Sequence, residues 1–396
     1  MRQLTFDKCL SVNSIRILGL CINFGFNIML TAAHDILKPQ ADVSSSDSTT
    51  NLESCNPLST GTFLIADTVA ALIGISVAPF LLTGIWMKMI VTAILALTSY
   101  VITAFTVSDT MSFVGVFVGA FAAGFGEATI MNFASKYDKK IVSGYSAGMG
   151  AAGIFSSAAY LMLTFFLSTR VTLLIMIFVP ILMCLDLWFI ITPPARAMSN
   201  GITANNLKTG NELHVSLPYM EKFRKLSPLL PTVMIPIFVS TFFMCFINQG
   251  LFELVYVDTI PLSRDVQYRL YITLCQIGIF VGQTSVQILQ VREMWIMCIV
   301  EAALCLLVLG EIMFPMHRIA PVVVIAIAEG VIGGATFVNT FYLISEESEQ
   351  TVTSFNMEMG MIANEAGAVA AGFLAIPTHN YLCAAIPAVP RFHLRK

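Results

Sequence analysis

Long apolar runs separated by short polar stretches recur along the whole chain. A helix that crosses hydrocarbon needs about 20 mostly apolar residues. Eleven windows meet that demand: 15–37, 60–83, 85–107, 111–135, 141–166, 169–192, 229–257, 268–291, 293–314, 319–343 and 352–378. The stretch YLCAAIPAVPRFHLRK from Tyr381 is too short and too rich in proline to add a twelfth. The pattern predicts an all-α polytopic membrane protein.

Composition agrees, because 57% of the 396 residues are hydrophobic and only 11% are charged, with a mean hydropathy of +0.81. A soluble chain of that length needs far more charge to cover a surface facing water. A net charge of -3 and the lack of a basic tract exclude nucleic acid as a partner class. The nine cysteines sit mostly within apolar runs, only Cys55 falling in a clear loop, and form no CxxC or Cys/His pattern. Neither a disulfide framework, a metal site nor a cofactor is therefore expected. No GxSxG, Walker or HExxH pattern appears, and His34-Asp35 reads as a helix-end contact, so the chain is not expected to be an enzyme. The first apolar run is too long and too polar inside for a cleavable signal and reads as the first anchor.

Orientation follows from the basic residues. A cytosolic N-terminus puts thirteen Lys and Arg on the cytosolic side, among them Lys136, Lys139, Lys140, Lys222, Arg224 and Lys225. Five fall in the opposite short loops: Lys38, Arg170, Arg264, Arg269 and Arg318. This is the sense of the positive-inside rule, although Arg391, Arg395 and Lys396 in the tail pull the other way. The polar stretch Pro193 to Pro228 divides the spans six and five. We expect an N-terminal six-helix half over 1–192, a cytosolic linker over 193–228, a five-helix half over 229–380 and a tail over 381–396.

Two short motifs recur six spans apart. GEATIMN (126–132) in span four matches GGATFVN (333–339) in span ten, and NFGF (23–26) in span one matches NQGL (248–251) in span seven. A parallel duplication of a six-helix unit has this spacing. Parallel halves related by an axis along the membrane normal describe the major facilitator architecture, with the substrate held near mid-membrane between them.

Within the windows the deep charges are all acidic: Asp67, Glu127, Asp186, Glu253, Glu301, Glu329, Glu358 and Glu365. An ionisable group at mid-bilayer costs about 2.5–3.5 kcal/mol on insertion scales, so it ordinarily faces a cavity or a partner. No Lys or Arg lies mid-span to pair with these acids, which should be protonated, hydrated or holding a cation. Asp186 and Glu358 lie near cytosolic ends, where water is within reach. Helical spacing puts Glu329, Thr336 and Asn339 on one face, and Gln249 and Glu253 on another. Glycines beside Glu127 and Glu329 also suit close helix packing. Because burial disfavours a charged carboxylate, such acids suit proton exchange at mildly acidic pH. Asn248, Gln249 and Glu253 are read as lining a polar path.

The blocks LGLCINFGFNIMLTAAHDIL, GFGEAT, SAGMGAAG, FINQGLFEL, EGVIGGATFVNTF and FLAIPTHNYLC, in this order, resemble the battenin family of lysosomal membrane proteins, whose loss underlies juvenile neuronal ceroid lipofuscinosis. The resemblance runs from about Arg16 to Cys383. It implies an eleven-span, major-facilitator-like protein of late endosomes and lysosomes, linked to glycerophosphodiester export, lysosomal pH and basic amino acid transport. By position the family's acids fall on Asp67, Glu127, Glu253 and Glu329, while Glu365 stands where an Asp is usual. The chain departs at Ile75, where a Lys is common, and at Gln283 and Gln287, where Arg is common. An anion needs cationic or multiple hydrogen-bonding partners to leave water, which here would be Gln276, Gln283, Asn23 and Asn248. The family's acidic leader and linker dileucine are missing, as is any N-x-[ST] sequon.

Together these features point to a proton-sensitive transporter of a small solute, working by alternating access in a lysosomal or endosomal membrane. Its partners would be membrane lipid, solute and protons. The other reading is a membrane scaffold that does not transport and meets cytosolic trafficking proteins through the 193–228 loop and Glu346, Glu347 and Glu349.

Overall fold

In a computed structural model, residues 12–29, 60–81, 84–106, 108–134, 139–164, 166–191, 218–349 and 351–385 are described. His34-Asp35, Cys55, most of the linker and the tail beyond Ala385 lie outside them. Helices account for every regular element among the described residues. In chain order they are α1 (Val12–Met29), α2 (Thr60–Val77), α3 (Ile85–Ala104), α4 (Asp109–Ala134), α5 (Lys139–Thr164), α6 (Thr169–Ile175) and α7 (Phe178–Ile191). After the linker come α8 (Tyr219–Leu226), α9 (Ile235–Cys245), α10 (Arg264–Thr284), α11 (Met294–Met313), α12 (Ile319–Glu347) and α13 (Thr353–Ala385).

Each of the eleven windows holds helix, and nine stretches among the described residues are long and apolar enough to cross a membrane. Two windows fall outside those nine. That of α2 supplies only a shorter apolar helix, Leu64–Phe80. In α10 the helix starts at Arg264, earlier than its window, so Arg264 and Arg269 lie in its first turns and not in a loop. Local chemistry accounts for other departures. Span six is broken between α6 and α7, where Pro180 lies in the first turn of α7 and lacks a donor. Ser168 caps α6 by accepting the Val171 amide. α13 runs through Pro377 and past Tyr381 to Ala385, beyond the expected end of its half. α8, YMEKFRKL, is a short amphipathic helix inside the polar linker, with Leu226 buried and Met220 exposed.

The packing carries the six-span shift seen in the motifs. α2 packs on α4, and their six-span counterparts α10 and α12 pack on each other. α2 also meets α13, and its counterpart contact, α5 with α10, is present as well. The same holds for α4 with α13 and α5 with α12. Glycine permits the tightest seams. A β-carbon at Gly74 would meet the Phe121 carbonyl and one at Gly124 the Ala71 carbonyl, so α2 and α4 touch backbone to backbone. Gly278, Gly282, Gly330 and Gly334 do the same between α10 and α12.

Buried apolar side chains form two clusters. One joins α1–α5 and α7 to the linker-side ends of α12 and α13, through residues such as Tyr145, Met131, Phe341, Ile344 and Met357. The other, around Phe246, Phe252, Tyr271 and Ala375, is drawn only from residues after the linker.

Candidate functional site

The acids gather at the centre, in two groups flanking Cys245 at the end of α9. Cys245 lies within electrostatic reach of Asp67, Glu301, Glu329 and Glu365. α2, α11, α12 and α13 thus each send one carboxyl group toward a common region.

The first group brings together helices from both sides of the linker. Asp67 of α2 and Glu127 of α4 both interact with Glu365 of α13. Asp67 is 2% exposed and neither of its oxygens meets a donor. Glu365 is half-buried and accepts from Asn364 Nδ2 at 3.1 Å, while the Asn364 amide oxygen accepts from Thr241 Oγ1 at 2.7 Å. Tyr145 of α5 lies beside Glu127 and its hydroxyl accepts from Asn23 Nδ2 at 3.3 Å. Asn23 also donates to the Gly19 carbonyl at 3.1 Å, so it joins this group through a phenol.

The second group lies wholly after the linker. Glu329 is fully buried and accepts from Asn248 Nδ2 at 2.7 Å through Oε1, leaving Oε2 without a donor. The same Asn248 amide reaches Cys275 Sγ at 3.3 Å. Glu301, also fully buried, interacts with Glu329, and neither of its oxygens has a donor. Asn248 sits on a π-helical segment, Phe246–Leu251, where the α-helix of α9 widens. Such distortions cost regular hydrogen bonding and concentrate at functional sites.

Three readings of the sequence are corrected. Gln249 and Glu253 do not share an α-helical face, because the backbone is π-helical up to Leu251 and turns from Phe252. Gln249 is buried, whereas Glu253 lies in the turn, 3.9 Å from Nε2 of the buried His379, so one deep acid does have a basic neighbour. Asp186 and Glu358 do not reach freely into water: each is only 8% exposed. Glu358 accepts from Asn132 Nδ2 at 2.6 Å, which ties α13 to the motif asparagine of α4. Asn339, the matching asparagine, has both polar atoms of its amide committed to backbone groups. Its Oδ1 receives the Val291 amide at 2.8 Å and its Nδ2 donates to the Ala335 carbonyl at 2.8 Å.

Gln276 and Gln283 lie in the seam between α10 and α5, where they pack against Gly153 and Gly150. Ile75 is core. A cavity of about 20 Å³, room for roughly one water, lies among Cys21, Gly25, Thr92, Ser99, Tyr100 and Met183 of α1, α3, α4 and α7, with no carboxyl group in its lining. In this conformation the second group is closed over. No motif in the sequence marks Cys245, Tyr145 or His379; only their proximity to the acids does.

A family model described as CLN3 protein matches residues 14–214 and 197–385. Battenin of Canis lupus familiaris is 31% identical over 398 residues, covering 93% of this chain and 90% of that protein. Protein BTN1 of Yarrowia lipolytica is 28% identical over 384 residues, covering 92% of each. Two solved structures share the architecture at 13% identity. They are the human organic anion transporter MFSD10, with a TM-score of 0.56 over 96% of each chain, and the proton:xylose symporter XylE, with a TM-score of 0.59 over 96% of this chain and 95% of that one. The fold is therefore that of the major facilitator superfamily. The chain is a multi-pass membrane protein and belongs to the CLN3 protein family.

Proposed function

We propose that this member of the CLN3 protein family moves a small solute across the lysosomal or late endosomal membrane by alternating access, in a manner sensitive to protons. Residues 1–192 form one moving half and 229–380 the other, joined by the 193–228 linker, with the N-terminus in the cytosol. The carrying observation is the convergence on Cys245 of four carboxyl groups, from helices on both sides of the linker, two of them fully buried. Desolvating acids without bases costs stability and has no structural return. It makes sense where a cation or protons come and go.

That chemistry favours a cationic solute, such as a basic amino acid, over a glycerophosphodiester. Asp67, Glu127 and Glu365 would meet the solute, since rocking the halves changes their separation. Glu329 would answer to protons. Glu253 and His379 would lie on the path, with Gln249. Asn23 and Asn248 orient the acids, while Gln276, Gln283 and Asn339 hold the frame.

The test is uptake of radiolabelled lysine, arginine and glycerophosphocholine into liposomes holding the purified chain, with and without a pH gradient. Saturable uptake of a basic amino acid that rises with the gradient supports the reading. No uptake of any of the three under either condition overturns it. The scaffold reading loses part of its surface to internal ion pairs, Lys225 to Glu349 at 2.6 Å and Arg292 to Glu346 at 3.2 Å.

A further inference from the structure

Glu301, Glu329 and Asn248 form an enclosed arrangement separate from the acids that would meet the solute. Three elements after the linker, α11, α12 and the π-helical end of α9, bring to one buried place four oxygens with no hydrogen-bond donor: both of Glu301, Oε2 of Glu329 and Oδ1 of Asn248. Glu301 and Glu329 are fully buried and Asn248 is 5% exposed. The groups acting on the two acids are each other, Asn248 and thiols, with no lysine or arginine among them. The Asn248 amide is locked by its bond to Glu329, which holds Oδ1 beside that carboxyl.

Buried acceptors without donors are rare in folded proteins and call for an occupant. We infer that Glu301, Glu329 and Asn248 bind a small monovalent metal cation, Na+ in size and charge. The donor set consists of oxygens, which suits a hard cation. Two carboxyl groups and an amide match a single positive charge, with one proton remaining on the pair. Calcium takes six to eight oxygens, commonly several carboxylates, and among the described residues no group of three or more acidic, His or Cys side chains is placed to hold a metal. The backbone supports the same choice. At Asn248 the helix has widened, closing with Phe252 N to Ile247 O at 2.9 Å before breaking into single turns. Helices interrupted at mid-membrane are where transporters of this kind coordinate Na+ with side chains and freed carbonyls. All ligands lie on one side of the linker, so the ion would stay bound while the halves move.

The full-length protein in lipid nanodiscs is heated in 100 mM NaCl, LiCl, KCl or N-methyl-D-glucamine chloride, at several pH values and equal ionic strength. A site with a dissociation constant of about 10 mM raises the unfolding midpoint in NaCl by about 2 °C over N-methyl-D-glucamine. Glu301→Gln and Asn248→Ala remove that difference, and Asp186→Asn keeps it. Equal midpoints in all four salts, with a response to pH alone, mean that the acids hold protons only and overturn the inference. A sodium effect that survives Glu301→Gln overturns it too. If neither site variant folds, retention of 22Na+ by the wild-type chain decides: one ion per chain supports the site and none refutes it. No solute enters this test, so a chain that binds Na+ but takes up nothing would sink the transport reading alone.

Discussion

The two acid groups differ in what holds them. Asp67, Glu127 and Glu365 come from α2, α4 and α13, helices that precede and follow the linker. Glu301 and Glu329 come from α11 and α12 and act on each other, with Asn248 donating to Glu329, all within one set of helices. A group assembled across two bodies is remade whenever those bodies shift, whereas one built inside a single body is carried along intact. The same kind of residue at similar depth can thus serve contact with cargo in one place and a resident charge in the other.

The sharpest way to break this comparison is to neutralise the shared group. Asp67→Asn with Glu365→Gln should lower basic amino acid uptake in liposomes by about 100-fold, a loss of ~2.7 kcal/mol, and leave the sodium-dependent rise in the unfolding midpoint intact. Next is the bridge between α4 and α13. Asn132→Ala removes a donor to the buried Glu358 carboxyl and should cost about 1–3 kcal/mol of stability, read as a lower midpoint by calorimetry in nanodiscs. A smaller effect comes from the enclosed group: Glu329→Gln should flatten the pH dependence of uptake, changing the rate by about threefold at the extremes. The smallest belongs to the surface. Lys225→Ala removes an ion pair whose Glu349 partner is 65% exposed, and should cost less than about 1 kcal/mol.

Hydrocarbon makes much of this fold legible in the sequence, because a helix that crosses it must be apolar for its whole length, and every window holds helix. The motif pairs were legible as well: their six-span spacing reappears in which helices touch. Position in depth says little about partners. Asn132 and Asn339 occupy the same place in their motifs, yet one donates to Glu358 and the other fastens the Val291 amide. Glu301 stood out only as a deep acid until its interaction with Glu329 could be seen. α8 is eight residues long in a polar linker, too short for its periodicity to stand out. The π-helical widening at Asn248 has no composition of its own.

The glycine seams differ in mechanical character. Between α10 and α12 four glycines set carbonyls against backbone, leaving no soft atoms to rearrange. That pair should behave as one strut. Between α5 and α10 the glycines at 150 and 153 face the flexible ends of Gln283 and Gln276 instead. Long amide side chains swivel where backbone cannot, so this seam should yield to a push more readily than the strut does.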